Sequence, residues 1–277
     1  MLTTGGTSLP KVTYYYLGGQ CPARDYQGAE AEAAAELLGL EYEAVDITGR
    51  PDVAAHHALF FPGTTIIDDF AIPFPSRREE ILELLRRKGP LPGEQSYAAR
   101  ASGRLDEVSW LTPAMAPDVC AVCLARPSEA SVAGKRAFFE GMSVKVPHGA
   151  LGLVGKAGGR VVAVAEFLPE SVVPYPIPDK RPDGAFVTCL YGVDAGGGGG
   201  GGVDYRPALV QRLMADIHTL GYSRLTILAG DEMPYPNGPA SLLSAHGFRD
   251  SGELAIPVLL RYRRDTARLL RWESVSG

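Results

Sequence analysis

Apolar and polar residues in the first ninety positions alternate between strand-like runs and helix-like stretches. The run KVTYYYLGG at 11–19 is β-branched and aromatic and closes on two glycines, whereas AEAEAAAELLGL at 29–40 consists of strong helix formers. Next come a strand in EYEAVDITG, a helix in RPDVAAHHALF, strands in TTIIDDF and FAIPF, and a helix in SRREEILELLRRKG. The pattern predicts the order β-α-β-α-β-β-α, with Ser76 capping the last helix and Glu79 at its third position.

The pattern changes after KGPLPGEQS, which contains proline and glycine and is typical of a connector. The stretch GRLDEVSWLTPAMAPDVCAVCLA at 103–125 predicts a strand, a turn and another short strand, and SEASVAGKRAFFEGM predicts a helix. Two apolar runs around AGG in GALGLVGKAGGRVVAVAEFLP, at 149–169, predict a hairpin. The middle of the chain is therefore expected to form an antiparallel layer.

A strand, a helix and another strand follow this layer. GAFVTCLYGV at 184–193 is a buried type of strand, and the helix YRPALVQRLMADIHTLGY places four apolar residues on one face: Leu209, Leu213, Ile217 and Leu220. SRLTILAGD predicts the next strand, GPASLLSAHGF a short helix ending at Gly247, and GELAIPVLLRYRRD the last strand region. This order predicts a βαβ unit, so the chain as a whole is expected to be of the α/β (α+β) class.

Composition limits the protein classes that need to be considered. The 277 residues, 45% of them hydrophobic and 21% charged, suit a soluble globular protein of two domains, at 1–92 and 103–277. The net charge is −5 and no basic stripe is present, which argues against nucleic-acid binding.

No run approaches the ~20 apolar residues of a membrane span. The start MLTTGGTSLPKV lacks the features of a secretory signal, so we expect a cytoplasmic protein with reduced cysteines.

The first ninety residues resemble the thioredoxin and glutaredoxin fold. Cys21-Pro22-Ala23-Arg24 lies between the first strand and first helix, where that family has Cys-x-x-Cys, and FPGTTII resembles the proline-led strand that faces it. The resemblance implies a cis bond at Pro62 and a thiolate at Cys21, favoured by the helix dipole. Arg24 stands in place of the resolving cysteine. A monothiol reaction, a sensing role, or a module whose Cys21 is only a small residue therefore all stay open.

Residues 103–265 resemble the GNAT superfamily of N-acetyltransferases. The segments that carry this resemblance are LTPAMAPDVCAVCLA, GRVVAVAEFLP, CLYGV, RPALVQRLM and LLSAHGF, in that order. It implies a mixed-sheet fold and direct transfer of an acetyl group from acetyl-CoA to an amine, carried by a small molecule or a peptide. The acceptor itself is not indicated, because acceptor pockets in such folds are built from variable loops.

The glycine tract at 196–202 lies in the turn that, in this family, wraps the pyrophosphate of acetyl-CoA. Small residues let backbone N–H groups approach phosphates, and the helix N-terminus adds positive potential. The resemblance implies the following cofactor-binding residues: Leu190, Tyr191, Gly192, Val193, Gly200, Gly201, Gly202 and Arg206. However, Asp204 and Arg206 stand where the family motif has glycines, and Gly201 where it has Arg or Gln. The alternative is a lengthened turn that has lost CoA binding.

Catalytic candidates follow from the same resemblance. A backbone N–H within 190–193 would polarise the thioester carbonyl. Leu243 occupies the position of the family's tyrosine acid, which leaves Tyr235, Ser241 or Ser244 as substitutes. Glu166 is the acidic residue embedded in an apolar strand, and it is either the general base or an outward-facing residue of an alternating strand. The two departures, at the turn and at Leu243, favour a second hypothesis, a binding or sensing protein without activity.

The other cysteines and the histidines predict no metal site. Cys120 and Cys123 form a C-x₂-C pair without a second pair or nearby histidine, so these two and Cys189 are expected to be core residues. His56 and His57 are adjacent on a helix and point in different directions. A thiol-redox protein using Cys21 is the third functional hypothesis. The apolar end AIPVLLRY is a candidate for strand pairing with a second copy in a homodimer.

Overall fold

The N-terminal part of the protein contains a four-stranded mixed sheet and three helices. The computed structural model describes residues 11–73, 76–93, 101–192, 202–233 and 237–274. In chain order the N-terminal elements are β1 (Lys11–Tyr16), α1 (Arg24–Leu38), β2 (Glu41–Asp46), α2 (Pro51–His56), β3 (Gly63–Ile67), β4 (Phe70–Ile72) and α3 (Arg78–Arg87). The strand order is β2-β1-β3-β4, with β1 parallel to β2 and antiparallel to β3. The element order predicted from the pattern is confirmed.

Helix α3 begins later than its sequence predicts. Arg77, not Ser76, is the residue that precedes the helix, and its backbone N–H donates to the Glu80 carboxylate at 3.1 Å. The next amide, of Arg78, donates to Glu30 of α1 at 2.6 Å. Two carboxylates therefore satisfy the free N–H groups at this helix end, and Glu80 takes the position that we assigned to Glu79.

The second part of the chain is built on a seven-stranded mixed sheet. Its elements are β5 (Ala101–Ser102), β6 (Glu107–Trp110), α4 (Ala116–Cys123), α5 (Glu129–Ser143), β7 (Gly152–Ala157), β8 (Arg160–Pro169), β9 (Gly184–Tyr191), β10 (Val203–Asp204), α6 (Arg206–Asp216), β11 (Arg224–Gly230), α7 (Ala240–Ser244), β12 (Arg249–Leu259) and β13 (Arg264–Glu273). The order in the sheet is β12-β13-β11-β9-β8-β7-β6. Only β9 and β11 of that sheet pair in parallel, and α6 connects them. This is the predicted antiparallel layer followed by a βαβ unit.

One prediction about this part was wrong and another was incomplete. The segment APDVCAVC is the helix α4, not a short strand, because Pro117 fits the first turn, Asp118 suits its positive end, and Val119 and Cys120 are buried together. The last strand region is two long strands, β12 and β13, which pair with each other. No helix within the described ranges is long and apolar enough to cross a bilayer.

The residues of β8 alternate between two hydrophobic clusters on opposite faces of the sheet. Ala165 and Phe167 pack in the cluster that includes Leu209 and Leu213 of α6 and, from the 3₁₀ turn that follows it, Ile217 and Leu220. These last four residues, predicted to share one face, are all buried. Val164 and Leu168 face the other way, into a cluster shared by the two parts of the chain. That shared cluster includes Leu17, Ile47, Phe60 and Phe61 from the N-terminal part and Phe138, Phe139, Tyr175 and Phe186 from the second part.

The two parts also touch through their backbones. Gly19, in the loop after β1, lies so close to Gly134 of α5 that a Cβ atom on Gly19 would clash with the Gly134 carbonyl oxygen. Arg24 packs over Gly134 from the start of α1. The loop before α1 can therefore lie against α5 because Gly19 has no side chain.

We expect Gly19→Ala to lower the free energy of unfolding by about 1–3 kcal/mol, because the added methyl group forces the loop away from α5. Urea denaturation followed by far-UV circular dichroism measures the change. Gly141→Ala is the matched control on α5, since a Cβ there meets nothing within 4 Å. It should be neutral or stabilising by up to ~1 kcal/mol, as expected for a helical glycine. Equal stabilities of the two variants would refute the close contact.

Candidate functional site

Cys21 lies in the loop between β1 and α1, where the sequence predicts it. It is half-buried, and its carbonyl oxygen accepts a hydrogen bond from the Arg24 N–H at 3.1 Å. Burial raises the pKa of the Cys21 thiol above 9.0, and a hydrogen bond from the Ala23 backbone offsets this only in part. The thiol is therefore neutral at physiological pH, contrary to the thiolate that the thioredoxin resemblance implies.

Glu166 is buried inside the protein, not on an outward-facing strand position. Its side chain projects from β8 opposite Cys189 of β9 and is 4% exposed. One carboxylate oxygen, Oε1, lies 2.5 Å from the Lys135 ammonium of α5, and the other accepts a hydrogen bond from Gln20 Nε2 at 2.9 Å. The carboxylate is thus fixed in place by partners from two other segments of the chain.

Lys135 is the cation that balances Glu166. It is 1% exposed, donates also to the Gln20 carbonyl oxygen, and lies over the Phe139 ring at 4.7 Å. Burial lowers the pKa of this ammonium, but the charge and hydrogen bond of Glu166 outweigh that effect and raise the pKa above 10.5. Lys135 and Glu166 therefore form a charged pair that carries no net charge into its surroundings.

A cavity of about 320 Å³ lies beside this pair, between the two parts of the chain. We call it the interface cavity. Its lining includes Gln20, Cys21, Cys123, Glu166, Cys189 and Tyr191. Apart from the polar ends of Gln20, Gln27 and Glu166, the lining is mostly apolar, with Pro22, Phe61 and Leu124 among its members. Cys123 and Cys189, predicted to be core residues, are half-buried at this surface, whereas Cys120 is fully buried.

A second depression, which we call the outer groove, adjoins the interface cavity. It has a volume of about 770 Å³ and is lined by α4, the β7–β8 turn and the end of β9. Asp118, Lys156 and Arg160 give it charged walls. Cys123 and Tyr191 line both spaces, so the groove and the cavity meet at the end of β9.

The end of β9 separates from β11 and is held by Asn237. The two strands pair only as far as Val187 and Ile227. Beyond that point, the Leu190 N–H donates to Asn237 Oδ1 at 2.8 Å, and Asn237 Nδ2 donates to the Leu228 carbonyl at 3.0 Å. Asn237 therefore bridges the gap between the strands and occupies the Leu190 amide, one of the predicted polarising donors.

The N-terminus of α6 is occupied by the chain's own carboxylate. Asp204 accepts a hydrogen bond from the Arg206 backbone N–H at 3.0 Å and pairs with the Arg206 guanidinium through both oxygens, at 2.9 and 2.7 Å. Both residues are buried, and Pro207 in the first turn has no N–H to offer. The anion site expected at this helix end is filled internally, and the predicted phosphate ligand Arg206 lies inside the protein.

The remaining predicted site residues are distributed as follows. The Gly192 carbonyl accepts a hydrogen bond from the Tyr205 N–H at 2.8 Å, and Gly202 is buried just before β10. Ser244 is exposed at the end of α7, next to the fully buried Leu243. Four predicted residues lie outside the described residues: Val193, Gly200, Gly201 and Tyr235.

The described part of the chain contains no group of three or more His, Cys, Asp or Glu side chains that could hold a metal ion. His57 instead shares a hydrogen bond with the Tyr15 hydroxyl at 2.8 Å. Its ring packs edge to face against His56. The histidines thus belong to the packing of α2.

Three residues that matter at this site were not predicted: Gln20, Lys135 and Asn237. Lys135 carried a signal, since it lies on the same helical face as Phe138, Phe139 and Met142, at spacings of three, four and seven residues. A lysine on an apolar helix face needs a buried anion. Gln20 and Asn237 lie in loops, and no periodicity marks them.

Solved structures similar to this protein are N-acetyltransferases. The N-acetyltransferase of Staphylococcus aureus matches 60% of this chain and 97% of its own, at 18% identity and a TM-score of 0.43. The ribosomal-protein-alanine N-acetyltransferase of Brucella melitensis matches 61% and 99%, at 16% identity and a TM-score of 0.43. The Salmonella typhimurium protein yncA, provisionally assigned as an acetyltransferase and solved with its cofactor acetyl-CoA, matches 62% and 95%, at 14% identity and a TM-score of 0.44.

No protein-family model matches the sequence, and no curated protein matches it significantly. At the identities and scores of the solved structures, the similarity establishes no activity for this chain.

We expect Lys135→Met to lower the free energy of unfolding by roughly 3–5 kcal/mol, because it leaves the Glu166 carboxylate buried and unpaired. The double variant Lys135→Met/Glu166→Gln should recover much of this loss, since neither charge then remains. Chemical denaturation measures both. Equal stabilities of the single and double variants would contradict a buried ion pair.

The pH dependence of the same difference provides a second test. Because the pKa of Lys135 is raised above 10.5 in the folded protein, its contribution is fully present below that pH. It is lost as the pH rises through the raised value. Compared with the double variant Lys135→Met/Glu166→Gln, which carries neither charge, wild type should therefore keep a constant stability difference from neutral pH up to 10.5 and should lose stability above that pH.

The neutral thiol of Cys21 gives a further prediction. Its alkylation by iodoacetamide, followed by mass spectrometry of the Cys21 peptide, should rise with pH with a midpoint above 9.0, because burial disfavours the thiolate. The denatured chain is the control and should show the ordinary cysteine profile. A midpoint below 9.0 in the folded protein would support the thiol-redox hypothesis instead.

Proposed function

We propose that the protein is a GNAT-type N-acetyltransferase that transfers an acetyl group from acetyl-CoA directly to an amine. The observation that carries the proposal is the meeting of two spaces at the end of β9, the interface cavity and the outer groove. A group-transfer enzyme needs two substrates to meet at one point. The hairpin layer followed by the β9–α6–β11 unit, the arrangement that the GNAT resemblance implies, supports it further.

The amine acceptor occupies the interface cavity in this proposal. Its nitrogen attacks the thioester carbonyl, the new C–N bond forms, the C–S bond breaks, and the nitrogen proton is passed on while CoA leaves as the thiol. Glu166 is the carboxylate that faces the cavity, so it is the candidate to receive the proton. The Leu190 N–H already donates to Asn237 Oδ1. The backbone N–H that polarises the thioester carbonyl is therefore proposed to come from a residue after Leu190.

The N-terminal part is proposed to be a thioredoxin-like domain that closes the acceptor site. Its element order and its strand order β2-β1-β3-β4 support this proposal, and its loop at Cys21 forms one wall of the interface cavity. The boundaries 1–92 and 103–277, a cytoplasmic location and pairing of the β12 end in a homodimer stay predictions.

The capped N-terminus of α6 favours a second candidate function. Asp204 fills the position where the resemblance puts the pyrophosphate, and Pro207 removes one of the few remaining donors. These features suit a protein that keeps the fold and binds a ligand in the interface cavity without using acetyl-CoA.

Calorimetric titration of acetyl-CoA into the full-length protein decides between the two functions. We expect micromolar binding, about −8 kcal/mol, for an acetyltransferase. Coenzyme A without the acetyl group is the control ligand for the nucleotide contacts. Absence of heat with both would refute the acetyltransferase proposal and favour the binding protein.

Glu166→Gln tests the role of the carboxylate once an acceptor is turned over. We expect kcat to fall by about 10²–10⁴-fold, as for loss of a general base. Because the single change leaves the Lys135 ammonium unpaired, Lys135→Met/Glu166→Gln is measured beside it as a folded variant without either charge. An unchanged kcat in the double variant would exclude Glu166 as the base.

A further inference from the structure

Gln20 leaves a hydrogen-bond acceptor unpaired in the lining of the interface cavity. The residue is 1% exposed, and among the described residues its Oε1 has no hydrogen-bond partner. Its Nε2 donates to Glu166 Oε2 at 2.9 Å, so the amide cannot be turned over without placing an oxygen against a carboxylate. A buried carbonyl oxygen of this kind is unfavourable until a donor reaches it. Oε1 is covered by its neighbours, so a ligand with an N–H group supplies that donor once the side chains that cover the oxygen shift.

The charges around the cavity disfavour a cation. The Glu166 carboxylate is already balanced by Lys135 at 2.5 Å. Burial raises the pKa values of all three cavity thiols, Cys21, Cys123 and Cys189, so each of them is uncharged. An ammonium group would lose its hydration without gaining an unpaired anion. The occupant is therefore an uncharged molecule.

The shape and chemistry of the remaining lining favour a flat apolar body. Phe61 and Pro62 from the N-terminal part and Leu124 and Tyr191 from the second part contribute to the walls. The volume of about 320 Å³ suits a small ligand. An aromatic amine combines this body with N–H donors, and it is uncharged at neutral pH, whereas an alkylamine is an ammonium ion.

We propose that the interface cavity binds an aromatic amine, whose N–H donates to Gln20 Oε1 and whose ring packs between the two parts of the chain. The proposal rests on the acetyltransferase function and names its acceptor class. An aromatic amine keeps its lone pair free at neutral pH, so it can attack the thioester before it loses a proton. Glu166, which is paired with Lys135, therefore does not have to remove a proton from the amine before the attack. Gln20 and Phe61 make the N-terminal part the element that selects the acceptor.

Three matched probes test the proposal by calorimetry on the full-length wild type without acetyl-CoA, at neutral pH. They are 4-methylaniline, its N,N-dimethyl derivative, which has no N–H, and 4-methylbenzylamine, which is a cation. We expect 4-methylaniline to bind at least about tenfold more tightly than either of the others. Equal binding of the dimethyl derivative, tighter binding of 4-methylbenzylamine, or no binding of 4-methylaniline would each overturn the proposal.

Gln20→Met keeps a similar shape and removes the Oε1 acceptor, but it also removes the Nε2 bond to Glu166, so the N,N-dimethyl derivative is measured beside it to detect any general change of the cavity. We expect it to weaken 4-methylaniline about tenfold and to leave the dimethyl derivative unchanged. Tyr26→Phe, at the 47% exposed rim of the cavity, is the control and should change neither affinity. If Gln20→Met does not fold, the three probes on the wild type still decide.

The outcomes also separate this proposal from the acetyltransferase function. Binding of 4-methylaniline without binding of acetyl-CoA supports the site and refutes the transferase. Acetylation of 4-methylbenzylamine by a protein that does not bind 4-methylaniline supports the transferase and refutes the aromatic-amine site.

Discussion

The buried ion pair between Lys135 and Glu166 is the interaction on which the rest of this structure depends. It joins α5 to the centre of the seven-stranded sheet, and both members also bond to Gln20, which lies 115 and 146 residues away in the chain. Two charges without water are unfavourable unless every polar atom is satisfied. The loop before α1 must therefore close on α5 for the pair to be stable, and the absence of a side chain at Gly19 permits that contact.

This pair also sets the chemistry of the space between the two parts. With Glu166 neutralised and the neighbouring thiols protonated, the interface cavity is apolar and carries no net charge. The helix dipole of α1 favours a thiolate at Cys21, but desolvation outweighs it. The arrangement suits binding of an uncharged ligand better than thiol exchange.

The end of β9 shows a different balance between stability and ligand binding. Asn237 satisfies the backbone where β9 and β11 separate, and Asp204 satisfies the first amide of α6 together with the buried guanidinium of Arg206. Each contact stabilises the protein alone and competes with a ligand for the same donors. Under the proposed acetyltransferase function, acetyl-CoA therefore gains its binding energy from other surfaces, among which the outer groove offers Lys156 and Arg160.

The sequence by itself determined the element order of the N-terminal part, the hairpin and βαβ unit of the second part, and the apolar face that begins in α6, because these depend on periodicity and on local turn chemistry. It failed at α4, where eight residues without a clear period resembled a strand, and at the start of α3, where Glu30 from another helix helps to fix the first turn. The candidate site was predictable only in part. Glu166 was visible as an acid in an apolar strand, but whether it faced water or the interior depended on Lys135 and Gln20. Those partners lie far away in the chain, so only the tertiary structure decided that the carboxylate is buried, paired and adjacent to a cavity.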